Sequence, residues 1–211
     1  MTFSGIASQP LGLVGLEGTS LVLRRLIETD ADQLFHNYFN GSDFRSKYRP
    51  HDSSPNVETT RLILKEHHSM MANSGSPTFE YGYFHNDRMC GLLTISDIDT
   101  YALNAQILFG VFPKHNTGLR PSVGEAILLG LDLAFNHIKL HRLYAHVFRD
   151  NKLARHSILH CGFKHEGLMR EHALIEGKYK DIDIYACLKS DLQSNKNVLR
   201  YQKQLLGYKA F

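Results

Sequence analysis

Groups able to hold an anion crowd one short segment of the chain. Between residues 114 and 125 stand Lys114, His115, Gly118, Arg120, Ser122 and Glu125, and an apolar helical pattern begins directly behind them. Ser122 and Glu125 have the spacing of a capping box, in which the hydroxyl accepts the third helical N–H and the carboxylate reaches back to the cap's own amide. The segment before Ser122 is then a loop resting on a helix N-terminus. There the first N–H groups lack internal partners and the helix dipole is positive, so a phosphate is held by backbone as well as by charge. Gly118 lets the backbone come close to such a ligand, and the cations surround it. The plainer reading is a turn glycine beside a solvated arginine.

With 13 histidines in the chain, metal binding has to be weighed. His137 and His141, and His156 and His160, lie four apart, a spacing that lets two imidazoles share an ion on a helix. No H-E-x-x-H pattern accompanies either pair, and His141 reads as the start of a strand, so no metal centre is expected. His67 and His68 are adjacent, diverge on any helix, and read as solvated. Cys90, Cys161 and Cys187 give neither a disulfide framework nor a C-x-x-C pair, and are expected as buried thiols in a reducing cytosol.

Composition sets the frame for these groups. At 211 residues, 43% apolar and 21% charged, the chain fits one domain with a sizeable core. A formal charge of +3 with mixed signs calls for neither a nucleic acid nor an anionic membrane. The first residues lack the basic and apolar regions of a signal peptide, and no apolar run reaches spanning length, so the expected location is cytoplasmic.

The elements that must position the loop read as follows. Residues 1–19 form a Gly-rich arm. "SLVLRRLI" is a strand; "ETDADQLFHNYFNG" is a capped helix with Leu34, Phe35, Tyr38 and Phe39 on its apolar side; and residues 54–75 form a second helix, with Leu62, Ile63 and Met70 on one side. "TFEYGYFHNDRMCGLLTISDID" is a hairpin about Asn86 and Asp87, and "AQILFGVFP" a central strand buried on both faces. After the loop, Ile127, Leu131, Phe135 and Ile138 stripe the helix. "HRLYAHVF" is a strand, "DNKLARHSILHCGF" a helix closed by Gly162, and a hairpin about Glu176, Gly177 and Lys178 ends the fold. The order β-α-α-β-β-β-α-β-α-β-β predicts an α/β protein with a mixed sheet and one place where parallel neighbours meet.

Across residues 20–189 the chain resembles the GNAT superfamily of acyl-CoA-dependent N-acetyltransferases, in the branch of ribosomal-protein N-terminal acetyltransferases. The carriers are "LRRLIETDADQLF", "GLLTISDID", "AQILFGVFP" with its loop and helix, "NKLARHSILHCGF", "HEGLMREH" and "GKYKDIDIYAC". Asn151, Ala154, Gly162 and Phe163 match the family's last-helix pattern. The resemblance implies domain limits of 20–190, with residues 191–211 as an extension. It implies acetyl-CoA as cosubstrate and no metal. Val111 and Phe112 would contact the pantetheine arm as a strand does. Gly118, Leu119, Arg120, Ser122, Val123 and Gly124 would cradle the pyrophosphate, and Asn151 would add a pantetheine contact. The loop departs from the family where Arg120 and Pro121 replace a second glycine; Pro121 removes a donor that Arg120's charge would replace.

The implied reaction is direct attack of a neutral primary amine on the thioester, which needs a base, a dipole at the thioester oxygen and a proton for the thiolate. Where the family often has a base Glu, this chain has Gln106. Asp97, Asp99, His146 and Glu171 remain as candidates, and the sequence does not choose among them. The usual proton-donating Tyr position is Ile158, so Ser157 next to it is the substitute. The acceptor walls, "FHNYFNGSDFRSKYRPHD" and "HALIEGKYK", are aromatic and basic. They suit a protein N-terminus, or an amino sugar on a nucleotide whose phosphates meet Arg45, Lys47 and Arg49, better than a polyamine. The tail, with Val198, Leu199, Tyr201, Leu205 and Leu206, reads as an amphipathic helix that packs on the body or makes a homodimer contact. Two other readings stay open: a non-catalytic acyl-CoA-binding module, and an unrelated α/β protein whose loop binds a nucleotide.

Overall fold

A computed structural model describes residues 21–40, 45–46, 48–49, 53–73, 78–112 and 123–205. Strand β1 (Val22–Arg25) is followed by helix α1, a 3₁₀ turn (Glu28–Asp30), an α turn (Ala31–Leu34) and a π turn (Phe35–Phe39) in sequence. Its entry is fixed by Asp30, which is buried at 3% exposure yet fully engaged. Its carboxylate takes both Arg24 guanidinium nitrogens, at 2.7 and 2.8 Å, and accepts the Ile27 N–H at 2.8 Å. Helix α2 (Val57–Asn73) then crosses the same side.

The expected stripe of α2 is corrected in part. Leu62 is 51% exposed, and the buried line is Thr60 and Leu64 with Val57 partly covered. Thr60 escapes an apolar count because its polarity is satisfied locally: its hydroxyl donates to the Asn56 carbonyl and meets Ser54 Oγ at 2.8 Å. The side chain of Met70 lies outside the described residues.

Strands β2 (Phe79–His85) and β3 (Arg88–Asp99) form the hairpin at Asn86 and Asp87, whose φ values of 47° and 61° are those of a type I′ turn. Strand β4 (Asn104–Val111) follows, then helix α3 (Val123–Asp132) with a π turn (Leu133–His137), and strand β5 (Arg142–Phe148). Helix α4 (Lys152–His160), strands β6 (Lys164–Ile175) and β7 (Lys178–Leu188), and helices α5 (Lys189–Ser194) and α6 (Lys196–Leu205) complete the chain. The seven strands form one sheet in the order β1-β2-β3-β4-β5-β7-β6, in which β4 and β5 are the parallel pair. The expected element order and mixed sheet are observed.

Two cores flank the sheet. On one face α3, with Ile127, Leu131, Phe135 and Ile138 all buried, packs with Ile158 of α4, Leu192 of α5 and Val198 of α6. The tail helix thus packs on its own body. On the other face Leu34, Tyr38 and Leu64 cover Phe84, Met89, Leu92 and Phe112, so α1 and α2 roof the sheet from β1 to β4. Beyond β4 that second face is more open. Strand β4 is therefore not buried on both faces: Ala105 and Ile107 are buried on the first, whereas Gln106 and Leu108 are half-covered on the second.

Candidate active site

The parallel ladder between β4 and β5 is short. It runs from Asn104 opposite Arg142 to Gln106 opposite Tyr144, yet β4 continues to Val111 and β5 to Phe148. Each strand stays bonded to its outer neighbour, β4 to β3 as far as Val111 opposite Gly91 and β5 to β7 as far as Phe148 opposite Ile182. The sheet is thus split by a wedge whose apex is the Gln106–Tyr144 rung. The Phe112 N–H donates to the Cys90 carbonyl at 2.7 Å, towards β3. Strand alternation then turns the amides of Ile107, Phe109 and Val111 into the wedge. This lip carries strand-type donors and acceptors over about 17 Å, the rise from Gln106 to Val111, and offers them to an extended ligand.

Beyond the lip the chain passes through residues 113–122, which lie outside the described residues; Gly118, Leu119, Arg120 and Ser122 belong there. Val123 and Gly124 open α3. Glu125 is buried at 5% exposure, and its Oε1 accepts the Leu21 N–H at 3.0 Å, a long-range bond that the capping-box reading did not foresee. On the β5 side, Asn151 caps α4 by accepting the Ala154 N–H through Oδ1 at 3.2 Å. Gly162, at φ +95°, ends that helix, where a left-handed residue closes it without a Cβ clash.

At the apex, on the second face, Gln106 Nε2 lies 3.2 Å from His146 Nδ1. The His146 ring packs 5.6 Å from Tyr144 and 6.5 Å from His172, centroid to centroid. The His146 side chain is exposed, yet the atoms crowding its inner edge partly desolvate the ring and, with the nearby His172, lower its pKa from the ordinary value against the opposing pull of the Asp97 carboxylate. Burial raises Tyr144, and Asp97 adds to the rise. Neutral imidazole and protonated phenol are therefore the favoured forms near neutral pH.

The same face holds a cavity of about 300 Å³ beneath α1 and α2, bordered by Tyr38, Tyr48, Arg49, Glu80, Tyr81 and Thr94 among others. Thr94 pairs with Leu108 and Ser96 with Gln106, so the cavity wall stands one same-face step, about 7 Å, from the apex. The Tyr48 hydroxyl meets Thr94 Oγ1 at 3.0 Å. Arg49 and Glu80 form an ion pair at 2.7 Å, and Arg45 donates to the Phe39 carbonyl at 3.4 Å. Part of the positive charge read from the sequence is thus committed inside the protein; Lys47 lies outside the described residues.

The four base candidates separate in space. Asp99 is occupied as a turn former, accepting the Tyr101 and Ala102 amides at 2.8 and 2.9 Å. Glu171 sits at a bulge of the final hairpin, its amide donating to Asp181. Asp97 and His146 come together near the apex. Ser157 lies on α4, partly buried, its carbonyl accepting the Cys161 amide and its hydroxyl unengaged by any described residue. Tyr144 and His172 were missed. Tyr144 had a signal, since it is two residues from His146 and so shares its face; His172 depends on a shift of register between Met169 and Ala173 that no local pattern announces.

The three cysteines are buried and free, as expected, and burial pushes Cys161 up to about 12. His156 and His160 pack at 4.1 Å, with His160 Nδ1 against the His156 carbonyl. Among the described residues no group of three or more His, Cys, Asp or Glu side chains is placed to hold a metal ion, and no helix is long and apolar enough to cross a membrane.

A mixed sheet parted at its parallel pair, with a helix starting beyond one lip, defines the N-acyltransferase class of fold. Residues 20–164 match the family model described as Acetyltransferase (GNAT) domain, and the chain belongs to that family. It is 27% identical over 180 residues to the probable N-acetyltransferase YjcK of Bacillus subtilis (strain 168), covering 83% of this chain and 98% of that protein. It is 30% identical over 94 residues to the spermidine N(1)-acetyltransferase of Vibrio cholerae, covering 44% of this chain and 53% of that one. Among solved structures, Mycobacterium smegmatis RimJ in complex with CoA-disulfide superposes with a TM-score of 0.73 at 21% identity, covering 90% of this chain and 91% of that one. The spermidine N-acetyltransferase from Vibrio cholerae in complex with CoA and spermine gives 0.70 at 24%, covering 82% and 97%. The protein is an acetyl-CoA-dependent acetyltransferase of the GNAT type.

Proposed function

We propose that the protein transfers the acetyl group of acetyl-CoA to the primary amine of a protein N-terminus, or of an amino sugar carried on a nucleotide, by direct attack in the β4–β5 wedge. The observation that carries this reading is the lip of amides at Ile107, Phe109 and Val111, which leads from the apex towards the start of α3. An extended pantetheine arm pairing there places its thioester at the apex, beside the acceptor cavity. In this reading Val111 and Phe112 end the pantetheine contact. Gly118, Leu119, Arg120, Ser122, Val123 and Gly124 hold the pyrophosphate at a helix N-terminus. Asn151, with its side-chain oxygen spent on the Ala154 amide, offers its NH₂ group to the pantetheine arm from the opposite lip. Ser157 supplies a hydroxyl for the departing thiolate.

The acceptor assignment rests on the aromatic walls of the cavity and on the Arg49–Glu80 pair, which supplies one carboxylate and one guanidinium among the described lining residues. A polycation is best held by several carboxylates, so this lining favours a less highly charged amine. Thiol release from acetyl-CoA, measured over a panel of N-terminal peptides, amino-sugar nucleotides and spermidine, tests the reading. Release with peptides or amino sugars above spermidine is the expected result. Acetyl-CoA binding with no release for any amine would make the protein a non-catalytic binding module instead.

A further inference from the structure

We propose that His146 is the general base of the transfer and that Gln106 is the positioning residue that holds its ring, an assignment that rests on the acetyltransferase reading above. Place carries the argument. Gln106 belongs to the last rung before the strands part, and His146, two residues past that rung on β5, shares its face. The cavity lies on that same face, its wall residue Thr94 one same-face step from Ser96, the β3 partner of Gln106. An amine moving from the cavity to a thioester at the apex approaches the rung beside this ring. The competing carboxylates are placed otherwise: Asp99 is consumed by its turn and Glu171 stands at the hairpin bulge.

The surroundings suit a base. The groups facing His146 are Gln106 from β4, Asp97 from β3, Tyr144 on its own strand and His172 from β6, while its β7 neighbour opposite is the apolar Ile184. Partial desolvation and His172 favour the neutral imidazole, and Asp97 stabilises the imidazolium once it forms. The oxygen and nitrogen of the Gln106 amide exchange places by a half-turn. With Oε1 towards the ring, Nδ1–H donates to it and the Nε2 lone pair faces the substrate. The acceptor ammonium gives one proton to Nε2, and its freed lone pair forms the N–C bond. The C–S bond breaks with its electron pair going to sulfur; the Ser157 hydroxyl protonates the thiolate and is itself reprotonated by the second proton that nitrogen loses as the amide forms. The exposed imidazolium returns its proton to water.

The acceptor's own basicity also weighs on the substrate class: an α-ammonium at about 7.7–8.0 gives up its proton about 2.5 units more readily than an alkylammonium at about 10.4, a difference of roughly a few hundredfold in free amine whatever the base.

The test compares wild type, His146→Ala and Gln106→Glu, using a short peptide with a free N-terminus and spermidine as acceptors. The expected loss of kcat/KM in His146→Ala is about 10²-fold or more, with the acetyl-CoA-induced rise in melting temperature retained. Gln106→Glu puts a carboxylate 3.2 Å from the ring and moves the acidic limb of the kcat/KM profile up by about one to three pH units. An unmoved limb, or wild-type activity in His146→Ala, overturns the assignment; spermidine preferred over the peptide overturns the substrate class. Absence of thiol release from wild type with every amine refutes the acetyltransferase reading instead. Ring titration of His146 by NMR in the free protein then decides separately, because a pKa unaltered by Gln106→Glu removes the positioning role.

Discussion

Replacing Gly91 by alanine tests whether the lip of the wedge depends on a backbone approach that no side chain tolerates. A Cβ at this position meets the Gly110 carbonyl oxygen at 2.2 Å, Val111 Cα at 3.0 Å and the Gly110 carbonyl carbon at 3.2 Å. All three atoms are backbone, so no rotamer relieves the overlap and β3 must part from β4 at the rung where Val111 pairs with Gly91. Overpacking of this kind costs about 1–3 kcal/mol. For a chain of 211 residues that corresponds to a fall in melting temperature of roughly 2–12 °C. The displaced residues are those whose amides line the wedge, so the KM for acetyl-CoA rises together with the loss of stability. Differential scanning fluorimetry with and without acetyl-CoA measures both. Gly167→Ala is the control, because its added Cβ meets only Ile184 Cδ1 at 4.0 Å. A Gly91→Ala protein that melts with wild type and binds acetyl-CoA as tightly would refute the argument.

Further outcomes follow from single contacts. Glu80→Gln removes one negative charge from the cavity wall; the KM for a peptide with an acidic second residue falls by about fivefold, while that for spermidine rises. Burial alone would raise the Asp191 carboxyl, but bonds from the Lys164 ammonium and the Leu188 amide outweigh it and hold the group below the usual aspartate value. Its contribution is complete above the unfolded value of about 3.9 and is lost as pH falls through the depressed one, so the melting difference between wild type and Asp191→Asn shrinks as pH is taken below about 4. Val198 is fully buried against the first core. Val198→Ala removes two buried carbons and lowers stability by about 1.6 kcal/mol, read by urea denaturation. Deleting residues 193–211 without a change of mass in solution excludes a dimer role for the tail.

The sequence made the elements legible because their signals are local. Asn86 and Asp87 tolerate positive φ, Gly162 closes a helix, and the stripe from Ile127 to Ile138 repeats at helical spacing; each is decided within a few residues. The stripe of α2 failed for a related reason: Thr60 is buried only because Ser54 and Asn56 satisfy it, and hydrophobicity does not register that exchange. The base candidates could be named but not ranked, since the ranking comes from partners 40 residues apart for Gln106 and His146, and from a turn that consumes Asp99.

The wedge is the harder case, and it shows where a one-dimensional pattern stops. An apolar run such as "AQILFGVFP" says that a strand enters the interior, but whether its neighbour follows is a property of two segments joined through α3. Ala105 and Ile107 are buried as a central strand requires, while Leu108 to Val111 keep partial exposure because β5 has turned away. The apolar character of those last residues is what an extended ligand with an apolar arm would cover, and their amides are what it would pair with. On the function proposed above, a strand that reads as fully buried would be completed on one edge by a cosubstrate, and the same residues would serve the core in the sequence pattern and the site in the traced strands.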